Sequence, residues 1–168
     1  MHKQNKYMKI SIITITYNSA KTVQRALDSV QNQHYSDIEH IIVDGASSDG
    51  TREIVEKYAA DHKNVRYISE PDKGIYNALN KGIQMATGDV IGFLHSDDML
   101  YSSDSIGKIA ASFENESVDV VYGDLQYCHG DKVIRRWRSN AFRPLSLKFG
   151  WMPPHPTVYV RREVYEQV

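Results

Sequence analysis

Short apolar runs alternate along this chain with apolar stripes at helical spacing, and this alternation limits the accessible folds more than any other feature. Five runs predict strands at residues 9–16, 40–44, 65–69, 89–94 and 118–122. The helical stripes between them begin at Val23, Ile54, Ile75 and Ile106. Apolar strands that alternate with helices indicate an α/β fold with a mostly parallel central sheet.

Three local features complete this outline. Asn18 or Ser19 is the predicted N-cap of the first helix. After Gly123 the alternation stops, and residues 126–127 and 133–138 predict a hairpin around His129-Gly130-Asp131. Prolines at 153, 154 and 156 predict a loop. Since no repeat or linker divides the chain, residues 1–168 are expected to form one domain, with residues 1–8 as a flexible N-terminal segment.

The charge balance disfavours nucleic acid as a partner. With 20 Lys and Arg against 21 Asp and Glu, the chain lacks the basic excess that drives nucleic-acid binding.

Cys128 is alone, which excludes an internal disulfide and a cysteine zinc site and favours a reducing compartment. Neither an apolar signal segment nor a stretch of membrane-spanning length is present in the sequence. We therefore expect a cytoplasmic protein.

Polar residues follow four consecutive predicted strands. They are Thr16-Tyr17-Asn18, Asp44-Gly45, residues 70–74 and His95-Ser96-Asp97-Asp98. Ligands of open parallel sheets bind beside the carboxyl ends of the strands, so these residues are the candidates for a site. Asp, Asn, Ser and Gly are also ordinary turn and cap residues, and for Asp49 such a turn or cap role is the preferred interpretation.

Asp97 and Asp98 have two interpretations. Adjacent carboxylates repel each other and raise each other's pKa unless a positive group offsets them, which favours a cation site over a solvated turn. A few carboxylates that share the ion with substrate phosphates suit Mg²⁺ or Mn²⁺.

Two common phosphate-binding loops are absent from the sequence. Residues 45–51 have P-loop glycine spacing, but Thr51-Arg52 replaces the Lys-Ser/Thr pair and Asp49 would face the phosphates. No G-x-G-x-x-G follows the first strand, which removes the main support for dinucleotide binding. A metal-dependent nucleotidyltransferase, another candidate class, would need a basic glycine-rich loop where this chain has Asn18-Ser19-Ala20.

Four sequence blocks carry a resemblance to a known family. They are S-I-I-T-I-T-Y-N at 11–18, V-D-G-A-S-S-D-G-T at 43–51, S-E-P-D-K-G-I-Y-N-A-L-N-K-G-I at 69–83 and A-T-G-D-V-I-G-F-L-H-S-D-D at 86–98. In this order they closely resemble family 2 glycosyltransferases of the GT-A fold, a Rossmann-like three-layer α/β/α architecture. The resemblance extends over essentially the whole chain from Lys9.

This resemblance implies an activity and its partners. A sugar would pass with inversion from a nucleotide sugar, usually UDP-linked, to an acceptor hydroxyl, assisted by a divalent Mn²⁺ or Mg²⁺. The acceptor would be a saccharide or a lipid-linked molecule in surface polysaccharide or glycoconjugate assembly.

The resemblance also implies residue roles. Thr16, Tyr17 and Asn18 would line the nucleobase side, and Asp44 would accept a hydrogen bond from the uracil ring. Further along the chain, the residues implied to lie along the nucleotide, donor sugar or ribose are Asp72, Lys73, Gly74, Asn77, Ser96 and Asp97.

Three departures from the family pattern leave alternatives open. Asn77 stands where the family more often has Asp. His95 replaces the first Asp of the metal-binding D-x-D region, so Asp97 or Asp98 is the expected metal ligand and His95 a hydrogen-bonding residue behind it. The family's catalytic base follows the H-P-T-V-Y-V-R-R-E-V-Y segment and is expected beyond Val168, so a catalytically incomplete nucleotide-sugar-binding module is the alternative function.

A basic and aromatic cluster near the end of the chain also has two interpretations. Its cations are Lys132, Arg135, Arg136, Arg138, Arg143 and Lys148, and its aromatic residues are Trp137, Phe142, Phe149 and Trp151. It is either a solvated hairpin with some aromatic residues packed inward, or a surface facing anionic lipid headgroups or the phosphates of a lipid-linked acceptor. His155 could border the acceptor site or be a packed loop histidine.

Overall fold

A computed structural model describes residues 8–130 and 132–167. Its strands are β1 (Ile10–Thr16), β2 (Ile38–Asp44), β3 (Val65–Ser69), β4 (Val90–Phe93), β5 (Val120–Val121), β6 (Leu125–His129), β7 (Lys132–Trp137) and β8 (Tyr159–Arg161). Its helices are α1 (Val23–Gln31), α2 (Thr51–Asp61), α3 (Ile75–Met85), α4 (Ser105–Ser112), α5 (Pro144–Leu147) and α6 (Arg162–Tyr165), with a 3-10 turn at His155–Thr157. The predicted flexible segment 1–8 lies outside the described residues except for Met8, which packs against the core.

The central sheet has six strands in the order β3-β2-β1-β4-β8-β5. β1 pairs in parallel with β2 and β4, and β2 pairs in parallel with β3. The predicted α/β class with a mostly parallel sheet is thereby confirmed. β6 and β7 form a separate antiparallel ribbon, which confirms the predicted hairpin, although Asp131 at its turn lies outside the described residues.

The prediction for the fifth strand was wrong in extent. Within residues 118–122, only Val120–Val121 is extended. The three-residue strand β8 lies between β4 and β5 and is antiparallel to both. Tyr159 and Val160 of β8 are buried. Their burial stabilises β8 in the sheet, although three residues are too few to show a periodic hydrophobic pattern.

Helices cover both faces of the sheet because successive strand residues point to opposite sides. On one face, Ile12 and Ile42 belong to core clusters with residues of α1, α2 and α4. On the other face, Ile13 and Ile41 pack with Ala78 and other residues of α3. This arrangement is the predicted three-layer α/β/α architecture.

The predicted cap of α1 was wrong. The helix begins at Val23, with Thr22 at the N-cap position and no side-chain capping hydrogen bond. The Val23 N–H donates to the Ser19 carbonyl at 2.9 Å, so a turn separates Ser19 from the helix. The side chain of Asn18 accepts a hydrogen bond from the Ser48 N–H instead, at 3.0 Å, and is therefore used between two loops.

Helix α3 lies directly against β1 because Gly82 lacks a side chain. A Cβ at Gly82 would lie 2.4 Å from Cγ2 of Ile13, well inside van der Waals contact. This methyl belongs to a β-branched side chain with little rotational freedom. The close approach therefore sets the position of α3 and of the loop before it.

We expect Gly82→Ala to destabilise the protein by about 1–3 kcal/mol through overpacking against Ile13, despite the gain in helix propensity. The matched control is Gly107→Ala in α4, where a Cβ would meet nothing within 4 Å. That control should stabilise the protein by up to about 1 kcal/mol. Urea denaturation of both variants measures the difference, and equal effects would contradict the packing argument.

Candidate functional site

The carboxyl ends of β1, β2, β3 and β4 lie at one edge of the sheet because these strands are parallel. The register places Thr16 beside Asp44 and Asp44 beside Ser69. A cavity of about 670 Å³, here called the strand-end cleft, opens between the loops that follow these strands. The predicted site residues in its walls are Thr16, Tyr17, Asp72, Gly74, Ser96 and Asp97.

A second cavity of about 600 Å³ adjoins the strand-end cleft. The two share Ser19, Ser96 and Asp97, and the Ser96 hydroxyl donates to the Ser19 hydroxyl at 2.8 Å where they meet. Asn18 lines the second cavity. The remaining predicted residues lie outside both linings and are Asp44, Lys73, Asn77, Asp98 and His155.

Asp44 is fully buried beneath the cleft and its two carboxylate oxygens accept four hydrogen bonds. Oδ1 accepts from Thr16 Oγ1 at 2.9 Å and Ser47 Oγ at 2.5 Å. Oδ2 accepts from Ser69 Oγ at 2.7 Å and the Ser47 N–H at 3.0 Å. Burial alone would raise the pKa of Asp44, but these hydrogen bonds outweigh it and lower the pKa below its usual value. Asp44 is therefore an anion that joins the ends of three strands.

The loop after β1 is bound to the loop after β2. The Asn18 N–H donates to Ser47 Oγ at 2.9 Å, and both Asn18 and Ala46 have left-handed backbone, with φ of 48° and 60°. Asp49 accepts hydrogen bonds from the Thr51 N–H at the start of α2 and from the Ala20 N–H, both at 3.1 Å. The N-cap residue of α2 is Gly50, so Asp49 holds the turn that precedes this helix and is not itself the cap. Tyr17, 68% exposed, presents its ring at the cleft wall.

Lys81 of α3 neutralises the acidic loop that follows β3. Its ammonium group donates to Asp72 and forms an ion pair with Glu70 at 2.8 Å. The hydrogen bonds to Asp72 and then to Glu70 raise the pKa of Lys81. Asp72 therefore reaches the cleft as an ion-paired carboxylate.

The remaining residues of this loop start α3. Gly74 has a left-handed φ of 108° and precedes the first helical residue, Ile75. The Lys73 N–H donates to Asn77 Oδ1 at 3.3 Å, so the Asn77 side chain holds the backbone of this loop. The Lys73 side chain is exposed.

Asp97 and Asp98 have no ion-pair partner among the described residues. Within residues 8–130 and 132–167, neither carboxylate accepts a hydrogen bond or joins an ion pair, and Asp97 is exposed while Asp98 is half-buried. Burial and then the charge of Asp97 raise the pKa of Asp98, with His95 opposing them. The expected repulsion of this acid pair is therefore present, and burial adds to it.

The acid pair fits a divalent cation that substrate also holds. The described residues contain no group of three or more His, Cys, Asp and Glu side chains placed to hold a metal. Mg²⁺ and Mn²⁺ in phosphate-ester sites, however, often use one or two carboxylates and complete their coordination with water and phosphate. Asp97, at the cleft wall, and the adjacent Asp98 offer the one or two carboxylates that such a site needs.

His155 lies on the acid side of the cleft. Its ring centroid is 5.7 Å from that of His95 and 5.9 Å from that of Phe93, on which it stacks. Burial, and then the charge of His95, lowers the pKa of His155. The structure thus brings His95, His155 and the acid pair to one end of the cleft.

Sequence reasoning missed the residues that organise these loops. Lys81 has a recognisable signal, since it is a cation beside the apolar stripe of α3 and follows two acids of the preceding loop. Ser47, Ser69 and Ser19 have no such signal, because serine is common in every loop.

Comparison with known proteins identifies the class. The chain is similar to the crystal structure of Staphylococcus aureus TarS 1–349 in complex with UDP-GlcNAc, with a TM-score of 0.80 and 25% identity over 95% of this chain and 47% of that one. The sheet order and the cleft at the strand ends accordingly define a GT-A glycosyltransferase fold. The sequence profile of the family described as Glycosyl transferase family 2 matches residues 11–166. The chain belongs to this family.

Curated relatives agree with this assignment. A "PGL/p-HBAD biosynthesis glycosyltransferase" of Mycobacterium bovis is 39% identical over 161 residues, which are 92% of this chain and 60% of that protein. An uncharacterised glycosyltransferase of Nostoc is 34% identical over 96% of this chain and 53% of its own length. The chain thus spans little more than half the length of these relatives.

We expect Lys81→Gln to leave Glu70 and Asp72 without a counter-charge and to loosen the loop between β3 and α3. Hydrogen–deuterium exchange should rise in a peptide covering residues 70–76. In the control Lys57→Gln, an exposed lysine of α2 with no ion pair among the described residues, exchange in that peptide should match the wild type. Unchanged exchange in Lys81→Gln would show that the ion pairs do not hold the loop.

Proposed function

We propose that the chain transfers a sugar from a nucleotide sugar, UDP-linked, to an acceptor hydroxyl with inversion and with the help of Mn²⁺ or Mg²⁺. The observation that carries the proposal is Asp97 at the wall of a cavity of about 670 Å³, beside Asp98 and without an ion-pair partner among the described residues, in a member of glycosyltransferase family 2. The similar TarS structure holds UDP-GlcNAc, which supports a uridine nucleotide as donor.

The nucleotide is proposed to lie along the strand-end cleft. Tyr17 offers an exposed ring on which a base can stack, beside Thr16 and Asn18. The hydroxyls of Ser47 and Ser69 both donate to the Asp44 carboxylate. One of these hydroxyls must rotate away before Asp44 can accept a hydrogen bond from the uracil ring. Lys73, Gly74 and Ser96 are proposed to contact the diphosphate, ribose or sugar, with Asp72 and Asn77 holding the loop.

The acid pair is the proposed metal position. Asp97 or Asp98 would hold the cation, and His95 would orient its ligands. A bound divalent ion supplies electrostatic stabilisation of the charge that develops on the leaving nucleoside diphosphate. Without such an ion, the unneutralised carboxylates repel a diphosphate, so these residues alone disfavour the donor.

The acceptor is proposed to approach from the side of His155. We propose a saccharide or lipid-linked acceptor in polysaccharide or glycoconjugate biosynthesis at the cell envelope, with the protein on the cytoplasmic side. The M. bovis relative is named "PGL/p-HBAD biosynthesis glycosyltransferase", which supports a role in a biosynthetic glycosylation. An acceptor hydroxyl must lose its proton to a positioned base. None of the described residues is assigned that role.

We expect UDP to bind in the presence of Mn²⁺ and to lose most of its affinity in EDTA, because the metal offsets the acid pair. Asp97→Asn should weaken Mn²⁺-dependent binding by about tenfold or more. The control is Asp119→Asn, which changes the net charge equally at an exposed position outside both cavities. Isothermal titration calorimetry measures each affinity. Metal-independent binding that Asp97→Asn leaves unchanged would overturn the nucleotide assignment.

Turnover is tested by release of UDP from a panel of UDP-sugars with and without candidate acceptors. We expect acceptor-dependent release, and an inverted anomeric configuration in the product by NMR. Donor binding without release would favour the alternative of a catalytically incomplete binding module. Retention of configuration would contradict the proposed inversion.

A further inference from the structure

The β6–β7 hairpin and the segment after it expose large apolar side chains. All six residues of β7 are exposed, and the ribbon pairs with no other strand among the described residues. Ile134 is 62% exposed and Phe149 83%, and Phe142, Leu145 and Met152 are also more than half exposed. A two-stranded hairpin without a packed face is marginally stable in water, so this surface is expected to have a partner.

The same surface is strongly basic. Residues 132–148 contain six of the 20 Lys and Arg of the chain and none of its 21 Asp and Glu. All six cations are exposed, and none forms an ion pair with a described residue. The guanidinium of Arg135 lies 5.7 Å from the ring centroid of Tyr127 and 5.9 Å from that of Trp137. Cations therefore alternate with exposed apolar groups, and their partner must be both anionic and apolar.

This basic-aromatic surface, the exposed residues of 132–152, is joined to the acid end of the cleft. The Ser139 N–H donates to Asp124 at 2.8 Å, and Tyr122 OH donates to the Asn140 carbonyl at 3.1 Å. The Thr157 hydroxyl donates to the Gly123 carbonyl at 3.0 Å, in the same 3-10 turn as His155. Residues 122–124 therefore connect this surface to the turn that carries His155.

We infer that the basic-aromatic surface docks on an anionic phospholipid bilayer. Lys and Arg head groups pair with lipid phosphates while their stems, Trp rings and aliphatic side chains enter the interface. A nucleic acid offers the same phosphates but no apolar layer for Ile134, Leu145 and Phe149. Among the described residues, no helix is long and apolar enough to cross a membrane. Docking itself does not depend on the proposed reaction, whereas delivery of a lipid-linked acceptor to His155 does.

Both tryptophans of the chain, Trp137 and Trp151, lie on or beside this surface, so intrinsic fluorescence reports docking directly. The protein is mixed at low salt with vesicles of phosphatidylcholine alone, or of phosphatidylcholine with an equal amount of phosphatidylglycerol. We expect co-sedimentation and a blue-shifted emission with the anionic vesicles only. Binding should weaken as salt is raised, because screening shortens the range of the attraction.

Two sets of substitutions separate the contributions. Arg136→Gln, Arg138→Gln and Arg143→Gln together should lower the partition coefficient by roughly a hundredfold, since each cation near an anionic surface contributes about fivefold. They leave the Arg135 contacts intact. The matched control is Arg25→Gln, Lys57→Gln and Lys63→Gln, which removes the same charge from exposed sites on or next to α1 and α2 and should bind like the wild type. Ile134→Ser with Phe149→Ser should reduce the blue shift.

Several results would overturn the inference. They are equal binding to neutral and anionic vesicles, no binding to either, or the same loss in the control triple variant. Binding to a single-stranded oligonucleotide but not to vesicles would assign the surface to nucleic acid. Dimerisation in analytical ultracentrifugation that Ile134→Ser with Phe149→Ser abolishes would assign it to a second copy of the chain. Donor binding and UDP release are measured without vesicles, so failure of the proposed function is distinguishable from failure of docking.

Discussion

The buried carboxylate of Asp44 holds the ends of the first three strands together, and the shape of the strand-end cleft depends on it. Its four donors come from Thr16 on β1, Ser69 on β3 and the loop after β2. A buried charge is costly unless donors surround it, and here they lower its pKa in spite of burial. The Asn18 N–H in turn donates to Ser47 Oγ, which is itself bound to Asp44. The positions of Tyr17 and Asn18 therefore also depend on the hydrogen bonds around Asp44.

Among the described residues, the acidic side chains at the strand ends form ion pairs on one side of the cleft and not on the other. Lys81 pairs with Glu70 and Asp72 on the side of α3, while Asp97 and Asp98 have no such partner among the described residues. A cation from solution is therefore attracted to one end only. The opposite charge is concentrated in residues 132–148, so the near-neutral total conceals two regions of opposite sign.

Most of the fold could be predicted from periodicity, because β1, β2 and β4 are short runs buried on both faces and each of the first four helices buries one stripe of residues. Strand β8 could not, since three residues carry no period and their place in the sheet comes from burial of Tyr159 and Val160. The cleft residues were predictable from the strand-end rule and from the sequence blocks. The cap of α1 was not, because the Asn18 side chain bonds to a loop that is distant in sequence.

Strand β8 also has a consequence for the order of folding. β1, β2 and β3 pair through short β-α-β connections, whereas the pairing of Gly92 with Tyr159 must close the whole intervening chain. Loop closure of that length is entropically expensive and slow relative to local pairing. The side of the cleft that carries Tyr17 and Asp44 therefore assembles from local contacts, and the side that carries His155 is completed only when β8 joins the sheet. A late folding intermediate would hold the first half of the site without the second.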